Sequence, residues 1–165
     1  MTIDEVLAVL EEDPRRIAAL TGGLPRTALH KTPVLGVWTV NDVLAHLRSC
    51  SDARGEFMRS ILAEQRPTLR AVDPRTLLKE TDYRELEFAT SLRTFTRQRA
   101  RLLSFLKALP RKSWARTAIV TGGGPARERT VLFYARWLAH HERAHVERLA
   151  RTLEPAPGRN SSSRM

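Results

Sequence analysis

Three histidines have the residue type and spacing needed to bind one divalent metal ion. His141 and His145 are four residues apart in a segment of helical periodicity, so they share one face of that helix. His46 lies between Val43 and Leu47 on the apolar face of an earlier helical segment. Two imidazoles on adjacent turns can chelate an ion, and a third from a facing helix leaves a coordination position open for water or substrate. The spacing therefore predicts a metal centre at His46, His141 and His145, unless these are core histidines with ordinary hydrogen-bond partners.

The segment from His141 to His145 also spells HERAH, a literal HExxH sequence. In zinc proteases this motif supplies two metal ligands and a glutamate that acts as general base. Those enzymes take a third ligand from beyond the helix, whereas Glu147 and Glu154 lie on the same helix or at its end. We therefore do not expect a metalloprotease. Glu142 is retained as a catalytic candidate, but a solvent-facing carboxylate or one that supports the metal ligands is the preferred interpretation.

Four other residues are candidates for a role in the site. Cys50 lies one turn after His46. It is a candidate nucleophile, but a small apolar residue facing the core is the preferred interpretation. His140 points about 100° away from His141 around the helix, which predicts a surface or interface position. His30 falls in a loop and has no spacing argument. Arg99 is in phase with an apolar stripe, and we expect it at the edge of that stripe with its guanidinium reaching solvent.

Four long helical patterns must position these residues. The first begins at the N-cap Thr2, restarts at Asp13-Pro14 and ends at Gly22-Gly23. The second covers residues 40–65, after a capping-box-like start in which Thr39 is followed by Asp42. The third runs from about residue 83 to Pro110, and the fourth from the cap Thr130 to about Leu153.

The connections between these helices are long and rich in proline and glycine. Residues 24–38 are expected to be irregular, and so are residues 111–128, where the AIV sequence at 118–120 is extended before a glycine turn. No strand series and no internal repeat are visible. The sequence predicts an all-α protein, a four-helix bundle with crossover-type connections, in a single domain over residues 1–153. Residues 154–165 have too little apolar surface to order themselves and are expected to be a disordered tail.

Charge and cysteine content narrow the class of protein. The 165 residues carry a net charge of +10, and residues 101–165 hold 13 Lys and Arg against 4 Asp and Glu. No nucleic-acid-binding motif accompanies this charge, so attraction of small anionic substrates is favoured over binding of nucleic acid. One cysteine excludes an internal disulfide, and the acidic start and the lack of a long apolar run predict a cytoplasmic location without a membrane span.

Several motifs, taken in order, resemble the DinB/YfiT-like superfamily. They are LxxxP in the first helix, GVWTVNDVLAHL, RSILAEQRPTLRAVDP, FTRQRARLLSFLKALP, a W-x-R followed by a glycine turn, and HHERAH. The resemblance covers about residues 5–153. It implies a four-helix bundle with a divalent-metal site whose ligands correspond to His46, His141 and His145. Members of this superfamily are often dimers, so the resemblance also implies a homodimer.

Characterised relatives of this superfamily include transferases and isomerases that use bacillithiol, mycothiol or glutathione, and others are described as metal-dependent hydrolases. We therefore expect a metal-dependent enzyme that activates a low-molecular-weight thiol or water for a small-molecule substrate. Zn or Ni is the expected ion, although imidazole suits several metals. Arg143, Arg148 and Arg116 are candidates to bind the carboxylates of the thiol. The alternative is a dimeric, stress-linked binding protein without catalysis.

Overall fold

The structure is a computed structural model, and it describes residues 1–31 and 38–153. Four long helices dominate the described residues: α1 (Ile3–Thr21), α3 (Val40–Ala63), α5 (Phe88–Lys107) and α6 (Val131–Leu153). Two short helices, α2 (Arg26–His30) and α4 (Pro74–Leu77), lie in the connections. α1 and α3 each pack against both α5 and α6. The helices therefore form a four-helix bundle in which α1 lies diagonally across from α3, and α5 from α6, which confirms the predicted fold class.

Capping boxes fix the start of both α1 and α3. The Thr39 hydroxyl accepts from the Asp42 backbone N–H at 2.9 Å, and the Asp42 carboxylate accepts from the Thr39 N–H at 3.0 Å. The same carboxylate accepts from Arg84 Nε at 2.7 Å. Thr2 and Glu5 make the equivalent pair of bonds at α1. These bonds satisfy backbone donors that have no partner inside the helix, and at α3 they set the direction of the turn that carries His46.

The predicted restart of the first helix at Asp13 is wrong. α1 runs unbroken through Pro14, and the Asp13 side chain is fully buried instead of capping a new helix. Its carboxylate accepts from Arg143 Nε of α6 at 3.0 Å, and Arg143 Nη2 reaches Glu12 at 2.9 Å. Asp13 therefore joins α1 to α6, a role that local sequence signals do not reveal.

Two apolar clusters fill the bundle, and a polar layer separates them. One cluster joins the N-terminal halves of α1 and α6 to the C-terminal halves of α3 and α5, and the other joins the opposite ends. Asp13, Arg99 and Glu142 lie between the clusters and are at most 1% exposed. Arg99 forms an ion pair with Glu142 across the bundle diagonal. The expectation that Arg99 reaches solvent is therefore wrong, because its partner comes from a helix 43 residues later in the chain.

The connections contain a small three-stranded sheet, where the sequence predicted no strand series. β1 (Thr68–Arg70) pairs in parallel with β2 (Thr117–Thr121), and β2 pairs antiparallel with β3 (Arg127–Thr130). The extended AIV sequence is confirmed as part of β2. Ala118 of β2 is buried in the first apolar cluster. At the β2–β3 turn Gly122 has φ +85°, and a Cβ there would lie 3.1 Å from Arg70 Cγ, so the turn requires glycine.

The irregular connection predicted for residues 24–38 and the predicted disordered tail, taken together, fall only partly within the described residues. Residues 26–30 of the first connection are helical as α2, whereas residues 32–37 and the predicted tail at 154–165 lie outside the described residues. Among the described helices, none is both long and apolar enough to cross a membrane.

Candidate metal centre

The neighbouring helices α3 and α6 bring His46, His141 and His145 into one cluster. His46 Nε2 lies 3.1 Å from His141 Nε2, although 95 residues separate them in the chain. The centroid of the His145 ring lies 4.7 Å from that of His141 and 5.1 Å from that of His46. The three imidazoles selected from helical spacing are thus in mutual contact. Their assignment as metal ligands stays a prediction, since contact alone does not show an ion.

Two tryptophans enclose this cluster of three imidazoles. The Trp137 ring stacks on His141 with a centroid distance of 4.5 Å, and it lies one turn earlier on the same helix. Trp38, just before the cap of α3, contacts His46 edge-on at 4.8 Å and lies parallel to His145 at 6.2 Å. Sequence reasoning named tryptophans only within the GVWTVNDVLAHL and W-x-R motifs and gave Trp137 no role. The i, i+4 spacing of Trp137 and His141 is the signal that could have identified a second wall.

All three imidazoles are held in their neutral form. Burial lowers the pKa of His46 to about 4, and His145 adds to this effect. Burial lowers the pKa of His141 to about 3, with further contributions from the two other histidines and from Arg54. The pKa of His145 is lowered by burial and by the nearby charge of Arg148. At neutral pH each ring therefore has a nitrogen lone pair that can bind a cation.

Cys50 lies behind His46, on the next turn of α3. Its Sγ is 3.6 Å from His46 Nε2, and the donor atoms of His46, Cys50 and His141 all lie within 4.8 Å of one another, so these three could hold a metal ion. Burial raises the pKa of the Cys50 thiol to about 12. The thiol is therefore protonated at neutral pH, which agrees with the interpretation of Cys50 as a buried apolar residue and not as a free nucleophile.

A cavity of about 1060 Å³ opens onto the three histidines. Its lining combines apolar residues of α3 and α6 with the cationic side chains of Lys31, Lys79 and Arg148 and one carboxylate, that of Asp73, so positive charge is in excess. Sequence reasoning missed the two lysines because they come from separate connections. A cavity of this size accommodates a small-molecule substrate, and its cations favour one that carries negative charge.

Of the three arginines predicted to bind the carboxylates of a thiol, the structure brings only Arg148 to this cavity. Arg143 is bound to Asp13 and Glu12 at the α1–α6 interface. Arg116 donates to the backbone carbonyls of Leu62 and Glu64, each at 2.7 Å, so it holds the end of α3 to the strand region. These two guanidinium groups have structural partners elsewhere.

The remaining candidates lie outside the cavity. Glu142 faces the bundle interior and pairs with Arg99, so the expectation of a solvent-facing carboxylate is wrong and the residue does not reach the cavity as a general base. His140 is exposed, as its position on the helix predicted, and His30 is exposed on α2. The HExxH sequence therefore places its histidines and its glutamate on different faces of α6.

Together the fold and the site define a four-helix bundle with a histidine cluster at the wall of a cavity. The profile of the DinB superfamily matches residues 9–149. The chain belongs to the DinB superfamily. No curated protein sequence matches it significantly. Among solved structures it is similar to YfiT from Bacillus subtilis, with a TM-score of 0.70 and 23% identity over 92% of this chain and 87% of that one. YfiT is described as "a probable metal-dependent hydrolase with an unusual four-helix bundle topology".

Proposed function

We propose that the protein is a metal-dependent enzyme that holds a divalent cation, Zn or Ni, at His46, His141 and His145. The observation that carries this proposal is the approach of His46 Nε2 to His141 Nε2 at 3.1 Å, with both rings neutral, beside a large cavity. The description of YfiT as metal-dependent supports it. A cation held by neutral imidazoles keeps its full charge and lowers the pKa of water or of a thiol.

The side chains present fit such a cation. Neutral imidazole nitrogens are ligands that suit Zn and Ni. The buried Nδ1 of His141 has no hydrogen-bond partner among the described residues, and its Nε2 lies 3.1 Å from His46 Nε2, a separation that suits two ligands of one cation. Trp38 and Trp137 shield the cluster from solvent on two sides. In an ordinary core histidine, by contrast, the buried ring nitrogens have hydrogen-bond partners.

Within this class we propose transfer of a low-molecular-weight thiol, in preference to hydrolysis. Glutathione and bacillithiol carry carboxylates, whereas mycothiol has none, and Arg148, Lys31 and Lys79 line the cavity that the histidines face. Arg148 is close enough to His145 to lower the pKa of that ring. Its guanidinium would hold a carboxylate of the thiol near the histidines. The two lysines would bind the remaining negative charge, and the tryptophans would exclude water.

Metal analysis of the purified full chain tests the proposal. We expect about one equivalent of divalent metal in the wild type and in His140→Ala, and much less in His46→Ala and His141→Ala. His140 is a matched control because it is exposed and adjacent to His141. A wild type that carries no metal after purification without chelators, and binds none when Zn or Ni is offered, would contradict the proposal.

The identity of the third ligand is tested by comparing His145→Ala with Cys50→Ser. We expect His145→Ala to lower the affinity for Co²⁺ at least about tenfold, as loss of a ligand does, and Cys50→Ser to leave it nearly unchanged. A thiolate-to-cobalt absorption band that Cys50→Ser removes would instead assign the third position to Cys50.

Transfer of a thiol is tested with bacillithiol, mycothiol and glutathione, each offered with an electrophile. We expect Arg148→Met to raise the KM for the active thiol about tenfold or more with a smaller effect on kcat, since the lost contact binds substrate. Arg151→Met is the control, because Arg151 is exposed on the same helix and does not line the cavity. Hydrolysis of esters or amides without any thiol requirement would assign the hydrolase alternative.

A further inference from the structure

A second cavity, of about 270 Å³, lies between the sheet and helices α3 and α6. It is separate from the cavity described above, and no residue lines both. Three arginines line it, Arg54, Arg127 and Arg129, together with aromatic rings that include Phe133, Tyr134 and Trp137. No carboxylate is present among the described residues of its lining. The cavity therefore combines uncompensated positive charge with flat apolar walls.

Arg54 is the buried member of this cavity. It is only 7% exposed, and its Nε has no hydrogen-bond partner. One amino group donates to the Val72 carbonyl at 3.3 Å, and the guanidinium carbon lies 4.3 Å from the centre of the Trp137 ring. A buried guanidinium costs free energy unless it is paired, because it has lost its hydration. Arg54 forms no ion pair with a described residue, and an anion in the cavity would balance the charge of its guanidinium.

The other two cationic side chains of this cavity come from strand β3. Arg127 and Arg129 alternate with Glu128, so both extend from the same face of the strand. Glu128 is bound on the other side to Arg66 at 3.2 Å and to Thr117 at 2.8 Å, so it does not neutralise them. The guanidinium carbon of Arg129 lies 4.2 Å over the Phe133 ring. Neither Arg127 nor Arg129 forms an ion pair with a described residue.

We propose that this second cavity binds a small anion that carries a flat aromatic group. The anionic oxygens would lie against the guanidinium groups of Arg54, Arg127 and Arg129, which match carboxylate and phosphate in geometry. The ring would pack against the aromatic walls. The site does not depend on the proposed metal function, since none of the three histidines lines it.

The three tryptophans of the chain allow the bound ligand to be located. Trp137 lines the second cavity but also stacks on His141, Trp38 lines the histidine cavity, and Trp114 is buried in the core as a reference. A ligand in the second cavity is therefore identified by a Trp137 shift that persists when Arg148 of the histidine cavity is replaced by Ser. We titrate the ¹⁵N-labelled full chain with 2-naphthoate and follow the three indole N–H signals, assigned with Trp→Phe variants. The Trp137 signal is expected to shift most. The neutral analogue 2-naphthamide is expected to bind at least about tenfold more weakly, because it lacks the charge that the arginines recognise.

Charge-matched variants separate specific binding from general attraction to a basic protein. Arg127→Ser/Arg129→Ser is expected to weaken naphthoate binding about tenfold or more. Arg127→Ser alone is also expected to weaken it. Arg93→Ser/Arg151→Ser removes the same charge from exposed positions that line neither this cavity nor the histidine cavity, and Arg148→Ser removes one positive charge from the histidine cavity. Both of these are expected to bind like the wild type.

Any of four results would overturn the assignment. These are no binding of naphthoate at millimolar concentration, equal binding of the amide, equal weakening in the Arg93/Arg151 control, and a shift of Trp38 that Arg148→Ser abolishes. The last would place the ligand in the histidine cavity.

Discussion

Adjacent residues of α6 belong to two different environments. His141 is in contact with the other imidazoles at the cavity, whereas Glu142, about 100° further round the helix, is buried in the polar layer with Arg99. In zinc proteases the same pattern serves one metal site, but here Glu142 pairs with Arg99 in the interior, so HExxH cannot by itself assign a common role. The side-chain contacts of each residue decide what it does.

Replacing Arg99 with Met leaves Glu142 buried without its positive partner. We expect the free energy of unfolding to fall by about 3–5 kcal/mol at neutral pH, the usual cost of breaking a buried ion pair. Burial raises the pKa of Glu142 to about 7 even with Arg99 beside it, against 4.5 for an ordinary glutamate. The folded variant therefore retains a proton that the unfolded chain releases. The wild type also keeps this proton between pH 4.5 and about 7, so the destabilisation relative to the wild type should grow as the pH rises above about 7, which urea unfolding at several pH values measures.

The double variant Arg99→Met/Glu142→Met distinguishes loss of an ion pair from loss of packing. With both charges removed, the desolvation penalty disappears, and we expect the double variant to be more stable than Arg99→Met alone. A double variant that is as unstable as the single one, with no dependence on pH, would show that packing dominates at this position.

His46 should make the metal-free protein sensitive to acid. The unfolded chain binds a proton at this histidine near pH 6.5, but the folded protein does so only near pH 4. Between these values the unfolded state holds more protons, so the stability of the wild type decreases as the pH falls. His46→Gln has no titrating group at this position and should lose less stability over the same range. Denaturant midpoints measured in a chelating buffer check this, and identical slopes would contradict it.

At the scale of elements, helical periodicity and caps predicted most of the architecture. The stripes of α3, α5 and α6 and the cap residues Thr2 and Thr39 marked helices to within a few residues. The sheet was missed because its strands are three to five residues long and lack clear alternation. The buried state of Arg99 and Asp13 was missed for another reason. Their partners come from α6, and the local sequence cannot reveal a contact with a residue so far along the chain.

The two capping boxes allow a paired test of how α3 is held. Thr39→Ala removes the hydroxyl that accepts from Asp42, and we expect a loss of about 1 kcal/mol in the free energy of unfolding. Thr2→Ala removes the matching bond at the start of α1. Asp42 also binds Arg84, whereas the α1 box is more exposed, so Thr39→Ala should cost the same as Thr2→Ala or more. Thermal and denaturant unfolding compare them, and a larger loss in Thr2→Ala would argue against this.

At the scale of the whole molecule, the excess positive charge of residues 101–165 is divided among separate tasks. Arg143 and Arg116 hold elements together, Arg148 lines the histidine cavity, and Arg127 and Arg129 line the second cavity. Such a division favours recognition of small anions at two places. It also explains why the sum of charges predicted an anionic ligand but could not indicate which cationic residues line a cavity.

Binding of a metal ion at the histidines would connect α3 and α6, two helices that already pack against each other. A ligand that binds only the folded state at 100 times its Kd stabilises that state by about 2.7 kcal/mol, which in a chain of this size raises the Tm by roughly 5–10 °C. We expect Zn or Ni to produce such a shift in the wild type and in His140→Ala, and none in His141→Ala. Differential scanning fluorimetry with and without chelator measures it. An equal shift in all three proteins would assign the stabilisation to metal bound elsewhere.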